Sequence, residues 1–340
     1  MASPKRSRKP PERGARAAKR LNLALQGGGS HGAFAWGILD RFLEDGRLDI
    51  EGISGTSAGS VNAVVLAYGR HVGGAEGARE ALEAFWRALA ASGPQLPMHP
   101  LALHAFKAFS GAFSPYQWNP LNLNPLRELL ERHVDFAELH SCRSTKLFLS
   151  ATNVRTGKVR VFSNEEIGAD TVVASACLPQ VFQAVEIDGE AYWDGGYMGN
   201  PVLFPLFYET EARDVVIVHI NPIFRPGIPR TPQEIEDRVN EITFNSSLIK
   251  ELRAVAFVQK LLGDGWLKEE FRGALKNVLV HSIRADEVLA DLPLASKFST
   301  DWGFLTDLRD RGREAAGEWL GRHFDDLGVR SSVDLRKEFL

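Results

Sequence analysis

The sequence predicts an α/β fold on a largely parallel sheet, and three observations carry that reading. Short apolar runs alternate with longer stretches of helical period. The first two runs each end in a glycine-rich turn that opens a helix, at 27–32 and 55–59. The 340 residues are 44% hydrophobic and 24% charged, a composition ordinary for a globular protein and wrong for a disordered one.

The elements follow in order. Residues 21–26 (LNLALQ) are short, apolar and followed by glycine, which predicts a strand. Residues 31–45 place Phe34, Ile38 and Phe42 four apart with Ala35 and Leu39 beside them, a helix that Gly46 ends. A second strand is expected at 50–55. Val61, Val64, Val65 and Tyr68 then share one face of a helix at 58–68, and another helix is expected at 76–91. Further strands are expected at 146–154, 158–163, 215–221 and 277–283, and long helices near 233–262 and 304–323. Within 241–262, Leu248, Leu252, Val255, Phe257 and Val258 gather on one arc, read as core packing, with a membrane-facing or dimer-forming face as the alternative. Leu308, Ala315, Trp319 and Leu320 make a similar cover helix of 304–323. No internal repeat and no linker interrupts the chain after residue 20, so a single domain over 21–340 is expected.

Residues 1–20 hold eight Lys/Arg and one Glu, a net of +7, which leaves the rest at −10 within a whole-chain charge of −3. With no apolar core to the segment, it reads as a disordered, solvated tail rather than a secretory signal. Contact with an anionic membrane surface is the alternative use. No nucleic-acid partner is expected, because the body is acidic. Two cysteines, Cys142 and Cys177, make neither a disulfide framework nor a four-ligand zinc site. No apolar run reaches the roughly 18 residues that span a bilayer. A cytoplasmic protein with possible peripheral membrane contact is the expectation. Residues 93–124 mix Pro, small residues and Phe106, Phe109, Phe113, Tyr116 and Trp118 with almost no charge. They read as an insertion packed on the core or as a lid over an apolar pocket.

Three motifs carry chemistry. Gly27-Gly28-Gly29-Ser30-His31-Gly32 lies between the first strand and its helix. Glycines let backbone N–H groups turn outward, and the helix start adds positive partial charge, which suits a phosphate or a developing oxyanion. The same residues fit the dinucleotide pattern G-x-G-x-x-G through Gly27, Gly29 and Gly32. That pattern wants a carboxylate at the end of the second strand, whereas Asp49 and Glu51 stand near its beginning. Gly55-Thr56-Ser57-Ala58-Gly59 follows an apolar strand and opens a helix, the setting of a nucleophile elbow, with a tight turn and an incidental serine as the plain alternative. Asp194-Gly195-Gly196 is a common turn by itself, but its carboxylate, behind Tyr192 and Trp193, could accept a serine's proton.

The glycine loop, the G-x-S-x-G elbow and the distant Asp-Gly-Gly, in this order and spacing, resemble the patatin-like phospholipase family. Further similarity lies in Ala174-Ser175-Ala176-Cys177-Leu178-Pro179 and in Val185-Glu186-Ile187-Asp188-Gly189, so the motifs span 22–205. The resemblance implies a three-layer α/β/α sandwich with a mainly parallel central sheet and a C-terminal helical extension over about 230–340. It implies a lipid acyl hydrolase that uses a Ser–Asp dyad and needs neither cofactor nor metal. Ser57 would attack the ester carbonyl and Asp194 would take its proton. The N–H groups of Gly28, Gly29 and Ala58 would bind the oxyanion, within a loop framed by Gly27 and Gly32. Gly55 and Gly59 would shape the elbow, and Gly195 and Gly196 the turn after the base. The substrate would be a lipid ester: a phospholipid, lysophospholipid or neutral glyceride. In one place the chain departs from the family, which usually carries Arg or Lys where this loop has His31. A protonated His31 would supply the missing charge, and activity would then fall toward alkaline pH.

Rival readings stay in view. His219, after Asp194, would permit a Ser57–Asp194–His219 triad, although a locally bonded strand histidine is favoured. A catalytically weak lipid-binding or effector protein on the same scaffold is the alternative function.

Overall fold

The computed structural model describes residues 18–93, 112–272, 274–286, 288–289 and 292–339. Its eight strands are β1 (Lys19–Leu25), β2 (Leu48–Gly55), β3 (Lys146–Asn153), β4 (Val159–Ser163), β5 (Val185–Ile187), β6 (Glu190–Asp194), β7 (Asp214–His219) and β8 (Leu279–Arg284). Hydrogen-bonded neighbours follow the path β5-β6-β3-β2-β1-β7-β8, with β4 also paired to β3. β1 is parallel to β2 and β7, β2 to β3, and β7 to β8. β4 and β6 pair antiparallel with β3, and β5 antiparallel with β6.

The principal helices are α1 (Gly32–Asp45), α2 (Ala58–Ser92), α3 (Pro125–His133), α4 (Ala169–Ser175), α5 (Phe204–Tyr208), α6 (Pro232–Gly263), α7 (Trp302–His323) and α8 (Leu335–Phe339). They cover both faces of the sheet, and the alternation of strand side chains marks the two interfaces. Leu21, Leu23, Leu25, Val216 and Val218 enter one apolar cluster with α1, α2 and α7. Ala24, Val215 and Ile217 point the other way, to Leu206 of α5, to Leu248, Leu252 and Val255 of α6, and to Leu335 of α8. Strands buried on both faces read as continuous apolar runs, which is why LNLAL and DVVIVH show no polar alternation. The architecture is a three-layer α/β/α sandwich. α1 and α7 cross in backbone contact. A Cβ on Gly37 would lie 1.9 Å from the Arg309 carbonyl oxygen, and one on Gly312 would lie 2.1 Å from that of Phe34.

The sequence expectations need several corrections. β1 begins at Lys19, so the last two basic residues assigned to the tail belong to the sheet. Lys19 Nζ donates to the carbonyls of Phe324 and Leu327, and Arg20 pairs with Asp49. The rest of the tail, residues 1–17, lies outside the described residues. The helices expected at 58–68 and 76–91 are two arms of α2, broken where Gly73 and Gly74 leave helical geometry. β7 stops at His219, short of residue 221, because the Gln26 side-chain oxygen accepts the N–H groups of Ile220 and Asn221. On α6, Phe257 is exposed, so it is not part of the packed arc with Leu248, Leu252 and Val255. On α7 it is Ala316 that is fully buried, with Ala315 only partly packed beside it. The proposed lid falls mostly on 94–111, outside the described residues. Its described remainder leaves Phe113, Tyr116, Leu121 and Leu123 exposed and is fastened by Gln183 Nε2 donating to the Asn119 carbonyl (2.7 Å).

Candidate active site

The site is assembled at one edge of β3. β2 runs parallel to β3 and ends at Gly55, opposite Leu149. β6 runs antiparallel, pairs with residues 151–153 and ends at Asp194, opposite Ala151. β4 covers residues 148–152 from the other side. β2 and β6 therefore share one edge in succession, and their C-terminal ends meet head-on. The turn after β2 delivers Ser57 to that meeting point, and β6 delivers Asp194.

Ser57 has φ 55° and ψ −121°, a conformation that costs a non-glycine residue on the order of 1–3 kcal/mol. Neighbouring bonds hold it there. Its N–H donates to Ser175 Oγ (2.9 Å), which also bonds Ser60 Oγ (2.8 Å). Thr56 Oγ1 bonds Ser150 Oγ (2.6 Å) and donates to the Gly199 carbonyl (2.7 Å). The turn leaves no room for flanking side chains. A Cβ on Gly59 would lie 2.2 Å from the Leu25 carbonyl oxygen, and one on Gly55 would lie 2.7 Å from that of Gly59. Ser57 thus stands at the tip of a strained strand-to-helix turn, at the positive end of α2.

Asp194 is 1% exposed. Burial pushes its carboxyl up to about 7, against the pull of the Gly196 N–H, the Ser57 hydroxyl and the charge of Lys297. The Gly196 N–H donates to Asp194 Oδ1 at 2.7 Å, and Thr152 Oγ1 donates to the Asp194 carbonyl at 2.8 Å. A Cβ on Gly195 would lie 2.2 Å from the Ser150 carbonyl oxygen, and one on Gly196 would lie 2.3 Å from the Phe244 ring. Each glycine of the Asp-Gly-Gly turn has a steric reason. Cys177 lies beside this carboxylate, and burial together with the Asp194 charge raises its thiol to about 12, which leaves it unreactive.

The glycine loop packs against the elbow. A Cβ on Gly27 would lie 2.6 Å from Ser57 Cβ, and one on Gly32 would lie 2.6 Å from Ala58 Cβ. The Gly27 N–H donates to Asn200 Oδ1 (2.6 Å), and its carbonyl accepts from Asn221 Nδ2 (2.8 Å). By contrast, the N–H groups of Gly28, Gly29 and Ala58 meet no acceptor among the described residues. Gly29 has φ +58°, and a Cβ there would lie 2.3 Å from the Lys297 carbonyl oxygen. Free N–H groups beside a strained serine and a buried carboxylate can hold an oxyanion where acyl transfer would generate one.

The two histidines weighed from sequence take structural roles. Burial, with the Lys297 charge, pushes His31 down to about 3, and its Nε2 bonds Ser296 Oγ at 2.7 Å. His31 is therefore neutral, and the alkaline loss of activity expected from its deprotonation does not follow. His219 Nε2 bonds Ser282 Oγ at 3.1 Å, and burial holds its pKa near 3 as well. It does not join Ser57 and Asp194.

Sequence reasoning missed the supporting shell. Ser175 lies inside a motif stretch and Asn200 just beyond the Asp-Gly-Gly turn, but neither carried an assigned role. Gln26 joins Asn200, Asn245, Ile220 and Asn221, and its one signal is a polar residue closing an apolar strand. Phe244, Asn245 and Lys297 come from distant segments and have no local motif. Among the described residues, no helix is long and apolar enough to cross a membrane.

The family model for patatin-like phospholipases matches residues 23–207, and the chain belongs to that family. Its members are lipid acyl hydrolases. Solved structures give distant likenesses. VipD from Legionella pneumophila is 16% identical with a TM-score of 0.44, over 90% of this chain and 68% of that one. Full-length ExoU of Pseudomonas aeruginosa, in complex with SpcU, is 18% identical with a TM-score of 0.40, over 92% of this chain and 54% of that one. Among curated proteins, none matches.

Proposed function

We propose that this chain is a serine lipid acyl hydrolase that cleaves the carboxylic esters of phospholipids or other acyl glycerides, with Ser57 as nucleophile and Asp194 as its base. The observation that carries the reading is the head-on meeting of β2 and β6, which sets a strained serine against a buried carboxylate. Asp194 accepts the Ser57 proton as Oγ attacks the carbonyl carbon, and the N–H groups of Gly28, Gly29 and Ala58 receive the developing oxyanion. The leaving alcohol departs with the proton that Asp194 took from Ser57, and Asp194 then draws a proton from the deacylating water and returns it to Ser57 Oγ as the fatty acid leaves. A base with a pKa near 7 is matched to neutral working pH. Neither metal nor cofactor enters this chemistry. Family membership supports a lipid substrate, and the exposed Phe113, Tyr116, Leu121 and Leu123 would suit peripheral contact with a lipid surface.

The test is hydrolysis of short- and long-chain p-nitrophenyl esters and of a phospholipid in vesicles, with fluorophosphonate labelling in parallel. Wild type should turn over and label, and Ser57→Ala and Asp194→Asn should each lose activity. A folded wild type that neither hydrolyses nor labels, with detergent or vesicles present, would point instead to a silent lipid-binding protein.

A further inference from the structure

The glycine loop lacks the basic side chain that similarity to the family leads one to expect, and His31 in its place is neutral. A cation nevertheless stands behind the loop. It comes from residues 294–298, a single 3₁₀ turn well past the region that the family model matches. Ser296 bonds His31, and the Lys297 backbone lies against Gly29. The Lys297 ammonium turns inward. It donates to Asn221 Oδ1 (2.8 Å) and Asn240 Oδ1 (3.2 Å), and it lies 5.8 Å from the centre of the Phe244 ring. Asn221 in turn holds the Gly27 carbonyl, and Phe244 packs on Gly196 beside the Asp194 carboxylate. One side chain therefore touches supports of both the oxyanion loop and the base.

We propose that Lys297 replaces the missing loop cation, as a positioning residue whose charge favours the Asp194 carboxylate and the oxyanion while its hydrogen bonds brace the glycine loop. The proposal rests on the hydrolase reading above. The charged groups facing the ammonium are Asp194, Glu241 and Asp237 of α6, and Arg225 after β7, with neutral His31 closing the same narrow cavity. Burial lowers Lys297 to about 8, so its charge declines within the working pH range. Lys297 and Asp194 each stabilise the charged form of the other.

The experiment is the rate of fluorophosphonate labelling of Ser57 as a function of pH, on the full chain. Lys297→Met should label about 10- to 100-fold more slowly, with its acid limb moved to higher pH because Asp194 loses a stabilising charge. Lys297→Arg, which keeps its proton, should go on labelling above pH 9, where wild type declines. A purely structural lysine would move neither limb. Should Lys297→Met fail to fold by near-ultraviolet circular dichroism, Asn240→Asp serves instead. That residue is half-buried on α6, and a carboxylate there would keep Lys297 protonated but offset its field at Asp194 and the oxyanion, slowing labelling in the same direction. Wild-type rates and limbs in Lys297→Met, or in Asn240→Asp where the first does not fold, would overturn the proposal. So would an alkaline decline in Lys297→Arg that follows wild type. A wild type that does not label would overturn the hydrolase reading itself, and this proposal with it.

Discussion

Two serine-containing arrays lie at opposite ends of the sheet. At the C-terminal ends of the parallel strands, Ser57 meets Asp194. At the other end, Ser332 Oγ bonds His281 Nδ1 (3.1 Å), and His281 Nε2 bonds Asp214 Oδ1 (2.9 Å). By residue type the second array is the fuller catalytic set, and its chain order of Asp, His and Ser is one that serine proteases use. Its setting is otherwise. His281 is fully buried, edge-on to Trp319, and Asp214 Oδ1 also accepts the Gly328 N–H (2.8 Å). Ser332 is not among the residues with positive φ, opens no helix, and donates its own N–H to Val280. The array pins the segment after α7 to the edge strand β8. On the proposed reading, the difference teaches that a nucleophile is made by backbone strain, free N–H groups and a poised base, and not by the presence of Ser, His and Asp.

The largest effect should separate the arrays directly. Ser57→Ala should lower ester turnover by about ten-thousandfold or more. His281→Ala should leave kcat/KM within about twofold at a temperature where the protein stays folded, and instead cost about 2–4 kcal/mol in urea unfolding, through a cavity and the loss of one of the two partners of Asp214. Loss of turnover in folded His281→Ala would break the comparison.

Next in size is the glycine loop, proposed to hold the oxyanion. Gly29→Ala puts a side chain at φ +58° and against the Lys297 carbonyl. It should cost about 10²–10³ in kcat by displacing a donor, with little change in KM. A change confined to KM would mean that the loop binds substrate without stabilising the transition state.

How far this site was legible follows from the range of each interaction. The elbow and the glycine loop are local: a turn between strand and helix writes its steric needs into five or six adjacent residues, so Gly55, Ser57 and Gly59 could be read directly. β1, β3 and β7 were legible as short, mainly apolar runs, and β2 because its apolar end leads straight into the elbow's glycine. β5 and β6 were not, since strands of three and five residues around Asp188-Gly189 look like a turn with aromatic neighbours. The same blindness hid how Asp194 reaches Ser57, because the head-on meeting depends on β4 taking the other edge of β3. Lys297 was beyond reach, because nothing within residues 294–298 announces that Gly29 packs on it. Phe257 was misread because helical period identifies an apolar arc but not where the partner surface ends.

A smaller effect tests the burial of Asp194. Asp194 is held near pKa 7, well above the ordinary carboxylate value, so its charged form is disfavoured in the folded state. Below about pH 4 the carboxyl is protonated whether the chain is folded or not, and the native state carries no penalty. As pH rises from about 4 to 7 the unfolded chain ionises first and native stability falls. Asp194→Asn removes that penalty. Its thermal midpoint should come close to that of wild type at pH 4 and exceed it above pH 7, while turnover is lost. Equal midpoints at both pH values would mean that the carboxylate is better solvated than its burial implies.

The smallest expected effect tests whether the second array is only a pin. Ser332→Ala removes one hydroxyl bonded to His281 and keeps the backbone bond from Ser332 N–H to Val280. It should cost about 1 kcal/mol, the ordinary worth of one such bond. Because Asp214 still engages His281 and Gly328, residues 328–332 should stay docked, with amide exchange at Val280 and Ser332 rising only slightly. The pin acts as a chain of separate bonds if the losses from Ser332→Ala and His281→Ala add up in the double variant. A double variant no less stable than His281→Ala alone would show that the serine contributes only through the histidine, as members of a coupled network do. Such coupling is what the Ser57 and Asp194 pair should show in rate. The same double-mutant cycle, read once in stability and once in turnover, therefore measures how differently the two ends of the sheet use similar side chains.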